Sequence, residues 1–284
     1  MNQILLDELQ SLLQNEFHGD IDRLVTAIRN ELHVAMTTGT ETEPAFPQSV
    51  TESALHPDKF GEIIIDLQNI SKEYKMGRET IQALKDVSMH IREGEIVSLI
   101  GSSGSGKSTL LNLIGGLDRP SQGGITVHGK DLQALSDKQI STYRNETIGF
   151  VFQFFNLQPY LNVLENVEIP LIFRGEATHA RMQAASEAVQ AVGLEDRGKH
   201  LPNQLSGGQM QRVAIARSLV NKPKIILADE PTGNLDRQTG IEILDLMKKI
   251  NREFGTTIII VTHDEFVARQ GHRVIKLSDG MILH

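Results

Sequence analysis

Nine consecutive residues contain the pattern Gly-x-x-x-x-Gly-Lys-Ser, whose residue types suit the binding of phosphate groups. The glycines let backbone N–H groups surround anionic oxygens, the lysine reaches the outer phosphates, and the serine hydroxyl ligates Mg²⁺. The pattern follows a predicted strand and opens a predicted helix, which is the context that such a loop requires. The sequence therefore predicts a phosphate-binding loop formed by Gly101, Ser102, Ser103, Gly104, Ser105, Gly106, Lys107, Ser108 and Thr109.

Two carboxylates, Asp229 and Glu230, directly follow a second hydrophobic strand, predicted over residues 224–228. Beside a phosphate-binding loop, one carboxylate can hold Mg²⁺ while the other accepts a proton from an attacking water. A strand that ends in Asp-Glu is by itself most often only a strand that reaches solvent. The interpretation therefore depends on Lys107, and with it we predict Asp229 as the metal ligand and Glu230 as the general base.

A second glycine-rich turn, Ser206-Gly207-Gly208-Gln209, opens another predicted helix. Backbone N–H groups at the start of a helix, together with the helix dipole, form a cradle for anionic oxygens. Two such cradles about 100 residues apart make little sense for one phosphate chain in one subunit. They make sense if a second subunit contributes its cradle to the nucleotide of the first.

With the segment Leu-Ser-Gly-Gly-Gln at residues 205–209, the sequence resembles the ABC ATPases, of which this pattern is the signature. The resemblance covers about residues 62–283. It implies an α/β fold: a P-loop ATPase domain with a mainly parallel sheet, an N-terminal antiparallel β region and a helical subdomain. It also implies ATP and Mg²⁺ as cofactors, and a head-to-tail dimer of two copies around two ATP molecules.

The other motifs of the family occur in the expected order. Tyr74 stands where an aromatic residue stacks on adenine, Gln153 resembles the glutamine that touches the metal, and His263 matches the switch histidine. Taken singly, each has an ordinary structural interpretation, and only the full set favours function. The resemblance implies catalytic roles for Glu230, His263, Gln153 and Lys107, nucleotide contacts for Tyr74, Ser206, Gly207, Gly208, Gln209 and the D-loop residue Asp236, and Mg²⁺ contacts for Ser108, Gln153 and Asp229.

The elements that must position these residues alternate along the chain. Strands are predicted over residues 62–67, 96–100, 125–127, 224–228, 257–262 and 273–277, and helices over residues 107–114, 180–192, 209–220 and 241–254. This alternation indicates an α/β domain with a largely parallel sheet, which we place at residues 61–284. Residues 154–220 are helix-rich and lack strand signals, so we predict a helical subdomain there.

The first 60 residues differ in pattern and in charge. Apolar residues at helical spacing predict a helical hairpin over residues 1–36, and Thr, Glu, Ser and Pro predict a flexible linker over residues 37–60. The segment holds 10 acidic and 3 basic residues, so it carries −7 of the net charge of −8. The hairpin is either a regulatory, partner-binding element or a small α-helical extension packed on its own subunit.

Composition excludes several classes of protein. The chain has no cysteine, which excludes disulfides and thiolate metal sites, and its apolar runs are too short to span a bilayer. The nearly neutral main domain argues against binding nucleic acid. We therefore expect a peripheral subunit on the cytoplasmic face of the inner membrane, with an integral membrane permease docking near Gln153 to Leu157. Phe154 and Phe155 are either part of that docking surface or core of the subdomain.

Within the family, residues 115–120, 148–153 and 230–236 resemble the group of macrolide-exporter and lipoprotein-releasing ATPases. The implied function is an ATP-hydrolysing subunit that drives a separate permease, for export or for lipoprotein, peptide or drug extrusion. An ATPase of the cell-division type, which signals to a wall hydrolase without moving cargo, is the alternative. Soluble ABC proteins that act on DNA or ribosomes are disfavoured, because the chain has neither a second cassette nor a long coil or zinc module.

Overall fold

The computed structural model describes residues 60–77 and 79–283, which form two sheets flanked by helices. The predicted hairpin over residues 1–36 and all of the predicted linker except Phe60 lie outside the described residues. The strands are β1 (Ile63–Met76), β2 (Glu79–Arg92), β3 (Ile96–Ile100), β4 (Gln122–Val127), β5 (Lys130–Asp131), β6 (Ile148–Phe152), β7 (Ile225–Asp229), β8 (Thr257–Thr262), β9 (Arg273–Ser278) and β10 (Met281–Leu283). The helices are α1 (Lys107–Ile114), α2 (Asp137–Thr147), α3 (Val163–Arg174), α4 (Thr178–Ala191), α5 (Gly207–Leu219), α6 (Arg237–Phe254) and α7 (Glu265–Ala268), with single 3₁₀ turns at Glu195–Arg197 and Pro202–Gln204.

The smaller sheet is antiparallel, with strand order β2-β1-β4-β5, and it confirms the antiparallel region that the family resemblance implies. Its inner face contributes Ile65, Leu67 and Leu84 to the core, all fully buried. Strand β2 is not among the predicted strands, because irregular register against β1 interrupts the two-residue alternation of its apolar side chains. Tyr74 lies near the end of β1, which is one of the two long strands of this sheet.

The larger sheet has the strand order β10-β9-β3-β8-β7-β6 and is parallel except for the β9–β10 pair. Every residue of β8 is buried, as expected for a strand covered by helices on both faces. The register of the larger sheet aligns the carboxyl ends of β3, β8, β7 and β6. Ile100 lies opposite Thr262, Asp229 opposite Val261, and Phe152 opposite Asp229. The loops that follow β3, β6, β7 and β8 therefore leave from one edge.

Two hydrophobic cores cover the faces of this sheet. One lies between the two sheets and includes the apolar side of α1, and the other holds the helices α3 to α6. Helix α5 touches the sheet closely, since a Cβ atom added at Gly149 of β6 would lie 2.5 Å from the carbonyl oxygen of Ser218. The helix thus joins the helix-rich segment to the strand that leads to Gln153.

Candidate functional site

The phosphate loop closes around Lys107 at the start of α1. Its ammonium group is buried and donates hydrogen bonds to the carbonyl oxygens of Gly101 and Ser102, both at 2.8 Å. Gly106 precedes the helix at φ 101°, and among the described residues no side chain caps this helix. Ser103 and Gly104 form the exposed tip of the loop, and Ser105 lies buried beneath it. The N–H groups at the start of α1 and a fixed positive charge thus lie together, as an anion site requires.

Two glycines of the loop touch neighbouring strands so closely that no side chain fits. A Cβ atom at Gly101 would lie 2.2 Å from the carbonyl oxygen of Leu277 in β9. One at Gly106 would lie 2.6 Å from the carbonyl oxygen of Ala83 in β2. The loop is therefore fixed against both sheets, and its conformation requires glycine at these positions.

The two predicted carboxylates lie beside this loop and have different surroundings. The Ser108 hydroxyl donates to Asp229 at 3.3 Å, and burial raises the pKa of Asp229. Glu230 takes a left-handed backbone conformation, with φ 47°, and one carboxylate oxygen lies 2.7 Å from Nδ1 of His263. The Thr262 hydroxyl donates to the other oxygen at 3.3 Å. A non-glycine residue at positive φ is a strained arrangement of the kind found at active sites.

Ser108 and Asp229 fit a magnesium site. Both present oxygen atoms, which Mg²⁺ prefers, and a cation between them would offset the cost of burying the Asp229 carboxylate. In the part of the chain that the structure describes, no three His, Asp or Glu side chains form a metal-binding group. Phosphate and water oxygens would therefore have to complete the coordination, as is usual for Mg²⁺ bound with a nucleotide.

Gln153 contacts the predicted D-loop, residues 233–236. Its side-chain amide donates to Oδ1 of Asn234 at 3.2 Å, and the Asn234 amide donates back to the Gln153 carbonyl oxygen at 2.9 Å. A Cβ atom at Gly233 would lie 2.9 Å from the Gln153 amide nitrogen. The two motifs, 81 residues apart in the chain, thus form one contact at the edge that carries Asp229. The contact of Gln153 with Mg²⁺ stays a prediction.

The second cradle is a helix start that caps itself. Helix α5 begins at Gly207, so both glycines lie in its first turn. The backbone N–H of Gln209 donates to the Ser206 hydroxyl at 3.2 Å, and the backbone N–H of Ser206 donates to the Gln209 side chain at 2.9 Å. Within the described chain, no hydrogen bond joins the segment Ser206 to Gln209 to the phosphate loop of the same subunit.

Asp236 caps the neighbouring helix α6. The backbone N–H and the hydroxyl of Thr239 donate to its two carboxylate oxygens at 3.0 and 2.6 Å, and these hydrogen bonds lower the pKa of Asp236. A Cβ atom at Gly208 would lie 2.4 Å from the Thr239 methyl carbon, so the start of α5 rests on the first turn of α6. The carboxylate has a structural role here, and its contact with a nucleotide stays a prediction.

Tyr74 is held in place by residues that sequence reasoning missed. Its hydroxyl donates to Asp118 at 2.8 Å, and Lys72 pairs with the same carboxylate at 2.6 Å while lying 4.8 Å from the centre of the Tyr74 ring. Burial and the hydrogen bond to Asp118 raise the pKa of Tyr74, and a hydrogen bond with Thr109 of α1 acts in the opposite direction. The ring therefore lies next to the phosphate loop, and its stacking on adenine stays a prediction.

Two further residues on α5 were also missed. The buried side chain of Gln211 donates to the Pro231 carbonyl oxygen at 2.6 Å, one residue beyond Glu230. Arg217 donates to the carbonyl oxygens of Phe155 and Asn156. The only signal in the sequence is a polar side chain at a position of α5 that faces the core. Such a signal does not specify a partner.

Comparison with known proteins gives consistent matches to one family. The family model described as ABC transporter matches residues 84–233. The ABC transporter ATP-binding protein MJ0796 of Methanocaldococcus jannaschii is 53% identical over 223 residues, which make up 77% of this chain and 95% of that protein. The macrolide export ATP-binding/permease protein MacB of Rhodopseudomonas palustris is 48% identical over 219 residues, but the match covers only 33% of it.

A solved structure is similar in fold as well as in sequence. It is described as a dimeric post-hydrolysis state of the ATP-binding cassette MJ0796 bound to ADP and Pi. The TM-score is 0.72 at 51% identity, over 78% of this chain and 97% of the other. Among the described residues, no helix is both long enough and apolar enough to cross a membrane.

Proposed function

The chain belongs to the ABC transporter family of ATP-binding proteins, and we propose that it works as a head-to-tail dimer that hydrolyses two ATP molecules to drive a separate membrane permease. It is an ATP-hydrolysing subunit of an ABC transporter. One observation carries the site assignment: one edge of the parallel sheet brings together Lys107, Ser108, Asp229, Glu230 and His263. The Ser108 hydroxyl lies 3.3 Å from the Asp229 carboxylate, and Nδ1 of His263 lies 2.7 Å from the Glu230 carboxylate. Strand register, rather than sequence proximity, brings them together.

The two separate cradles support the dimer. Lys107 and the N–H groups of the phosphate loop would hold the β- and γ-phosphates of one ATP. Ser206, Gly207 and Gly208 of a second copy would then contact the same γ-phosphate from the opposite side. The resemblance to a cassette solved as a dimer agrees with this arrangement.

Hydrolysis would proceed by attack of water on the γ-phosphorus, with the bond to the leaving ADP oxygen breaking. Glu230 orients the water and accepts its proton, for which its strained backbone and its contact with His263 fix the carboxylate. His263 stabilises negative charge on the transferring oxygens. Mg²⁺ held by Ser108 and Asp229, with Gln153 close by, would supply positive charge to the phosphate oxygens.

The membrane partner would dock on residues Gln153 to Leu157, which we call the docking loop. Phe154 is 73% exposed, while Phe155 is half-buried beside Gly207. Exposure of the first phenylalanine favours the docking interpretation over the core interpretation. Tyr160 and Phe173, 91% and 82% exposed, are further exposed aromatic side chains of the helix-rich segment. Such a surface is typical of a protein interface.

Export is the direction that the relatives favour. Several relatives at 45–48% identity are named macrolide export ATP-binding/permease proteins. This favours a transporter at the cytoplasmic face of the membrane over an ATPase that signals to a wall hydrolase. The match covers about a third of the length of those proteins, and a separate permease for this chain is part of the proposal.

The substitution Glu230→Gln tests the assignment. It keeps the shape of the side chain but removes its ability to accept a proton, so hydrolysis should fall by about 10²–10⁴-fold while ATP still binds. The variant should also accumulate as an ATP-bound dimer in gel filtration. Glu242→Gln is the matched control, because Glu242 pairs with Arg212 on the surface. Near-normal turnover in Glu230→Gln would overturn the role of Glu230.

A further inference from the structure

The docking loop contains two adjacent residues in an unusual backbone conformation. Phe155 has φ 58° and Asn156 has φ 51°. The left-handed region is uncommon for residues other than glycine, and two in succession persist only where the surroundings hold them. Some part of the structure must therefore fix this loop.

Arg217, in the last turn of α5, provides that hold. One nitrogen of its guanidinium donates to the Asn156 carbonyl oxygen at 2.6 Å, and another donates to the Phe155 carbonyl oxygen at 2.7 Å. Among the described residues, no carboxylate forms an ion pair with Arg217, and burial lowers the pKa of its guanidinium. A planar fork of donors suits two adjacent acceptors, and these hydrogen bonds offset part of the cost of half-burying the guanidinium.

We propose that Arg217 is a positioning residue that fixes the docking loop to the signature helix α5. The proposal rests on the proposed function in one respect, that Phe154 meets a membrane partner. Arg217 lies outside the phosphate loop and the signature turn, and its guanidinium contacts the docking loop instead. Its role is to keep Phe154 in one place relative to the second cradle.

The loop is held at two other points, which shows what Arg217 adds. Gln153 is bonded to Asn234, and the ring of Phe155 lies beside Gly207, where an added Cβ atom would be 3.9 Å away. The loop is thus fixed to the D-loop and to the start of α5. Arg217 adds a third attachment, which joins the loop to the last turn of α5. A displacement of Phe154 would therefore act on both ends of α5, including the signature residues at its start.

The absence of cysteine from the chain allows a direct test. A single spin label attached at Phe154→Cys reports the mobility of the docking loop, in the full chain without nucleotide. Adding Arg217→Gln should increase the mobile fraction of the spectrum severalfold. Arg212→Gln is the matched control, because Arg212 lies on the same helix and donates to the Val192 carbonyl oxygen and to Glu242 instead. It should leave the spectrum unchanged.

A conservative variant keeps the test decisive if Arg217→Gln does not fold. Arg217→Lys retains the charge but lacks the planar fork, so its label should show intermediate mobility. An unchanged spectrum in both Arg217 variants, or an equal increase in Arg212→Gln, would overturn the proposal. The spin-label measurement needs no ATP, so a negative result would leave the proposed role of Glu230 unchanged. Normal hydrolysis by Glu230→Gln would in turn leave the spin-label result valid.

Discussion

The two glycine-rich cradles of the chain are built differently, although both lie at the start of a helix. Helix α1 begins after Gly106 with no side-chain cap, and the buried ammonium group of Lys107 supplies positive charge. Helix α5 begins with Ser206 and Gln209 bonded to each other, and its first turn contains no Lys or Arg. The first cradle keeps its N–H groups and a charge for a ligand, whereas the second partly satisfies its own donors.

In the proposed dimer, this difference would give the two cradles different tasks. A helix start with unpaired donors and a fixed cation can bind a phosphate group by itself. A neutral helix start that is already capped adds only a dipole and the remaining N–H groups. It can contribute to binding an anion that is already held elsewhere. The comparison therefore predicts that the first cradle determines monomer affinity and the second determines dimer closure.

The largest effect should separate the two roles directly. Lys107→Ala removes the charged donor, and a hydrogen bond to a charged group is worth about 1.5–3 kcal/mol, so ATP affinity of the monomer should fall about 10- to 100-fold. Ser206→Arg places a bulky side chain at the second cradle and should leave that affinity within about twofold while abolishing ATP-dependent dimers. Titration calorimetry and gel filtration measure the two quantities. Equal loss of monomer affinity in both variants would show that the two cradles act within one subunit.

The glycines of the two cradles should respond unequally to an added methyl group. Gly106→Ala forces φ 101° on a residue with a side chain and brings its Cβ within 2.6 Å of the Ala83 carbonyl oxygen, so the free energy of unfolding should fall by at least about 1–3 kcal/mol. At Gly207 the nearest atom is the end of the Leu235 side chain, at 3.3 Å, and it can shift. Gly207→Ala should therefore change stability by less than about 0.5 kcal/mol. Denaturant unfolding compares them, and similar losses would contradict the difference in packing.

The sequence predicts the first cradle more completely than the second. The loop at residues 101–109 is continuous in the chain, so its pattern specifies the glycines, Lys107 and Ser108 together. The six predicted strands are present, because they are apolar runs of the length typical of buried strands. Helix α2 was missed despite its capping pair, Ser136 and Gln139, because few apolar residues mark its buried face.

What the sequence could not predict are the contacts between distant segments. Three polar contacts join residues 44 to 81 positions apart in the chain. Tyr74 is bonded to Asp118, Arg217 to the docking loop, and Asn234 to Gln153. Polar residues show no periodicity that identifies such partners, and only the folded arrangement of strands, helices and loops brings them together. The motifs thus specify which residues could act, and the fold specifies what holds them.

The cap of the second cradle can be separated from its role in binding. Ser206→Ala removes the hydroxyl that accepts from Gln209, and Ser136→Ala removes the same contact at the start of α2. Each should cost about 1 kcal/mol of stability, the usual value of a serine cap. Only Ser206→Ala should also weaken ATP-dependent dimerisation, because α2 belongs to neither cradle. Equal dimerisation in the two variants, measured in the Glu230→Gln background, would mean that Ser206 serves only its own helix.

The smallest effect concerns pH and the support beneath the second cradle. Thr239, on which Gly208 rests, is held by the Asp236 carboxylate, and those hydrogen bonds lower the pKa of Asp236. A carboxylate with a lowered pKa stabilises the fold fully above its unfolded pKa, about 3.9, and this contribution is lost as the pH falls through the folded pKa. Acid should therefore weaken the cap of α6, on which the start of α5 rests.

Asp236→Ala and Asp236→Asn together test that prediction. The asparagine side chain can still cap α6 but cannot titrate. The melting temperature of the unmodified chain should exceed that of Asp236→Ala by a few degrees at about pH 6, and the difference should shrink below about pH 4. For Asp236→Asn, the difference from Asp236→Ala should persist across the same range. The difference in melting temperature between the unmodified chain and Asp236→Ala could instead stay constant down to about pH 3. That result would mean that the charge of Asp236 does not support the second cradle.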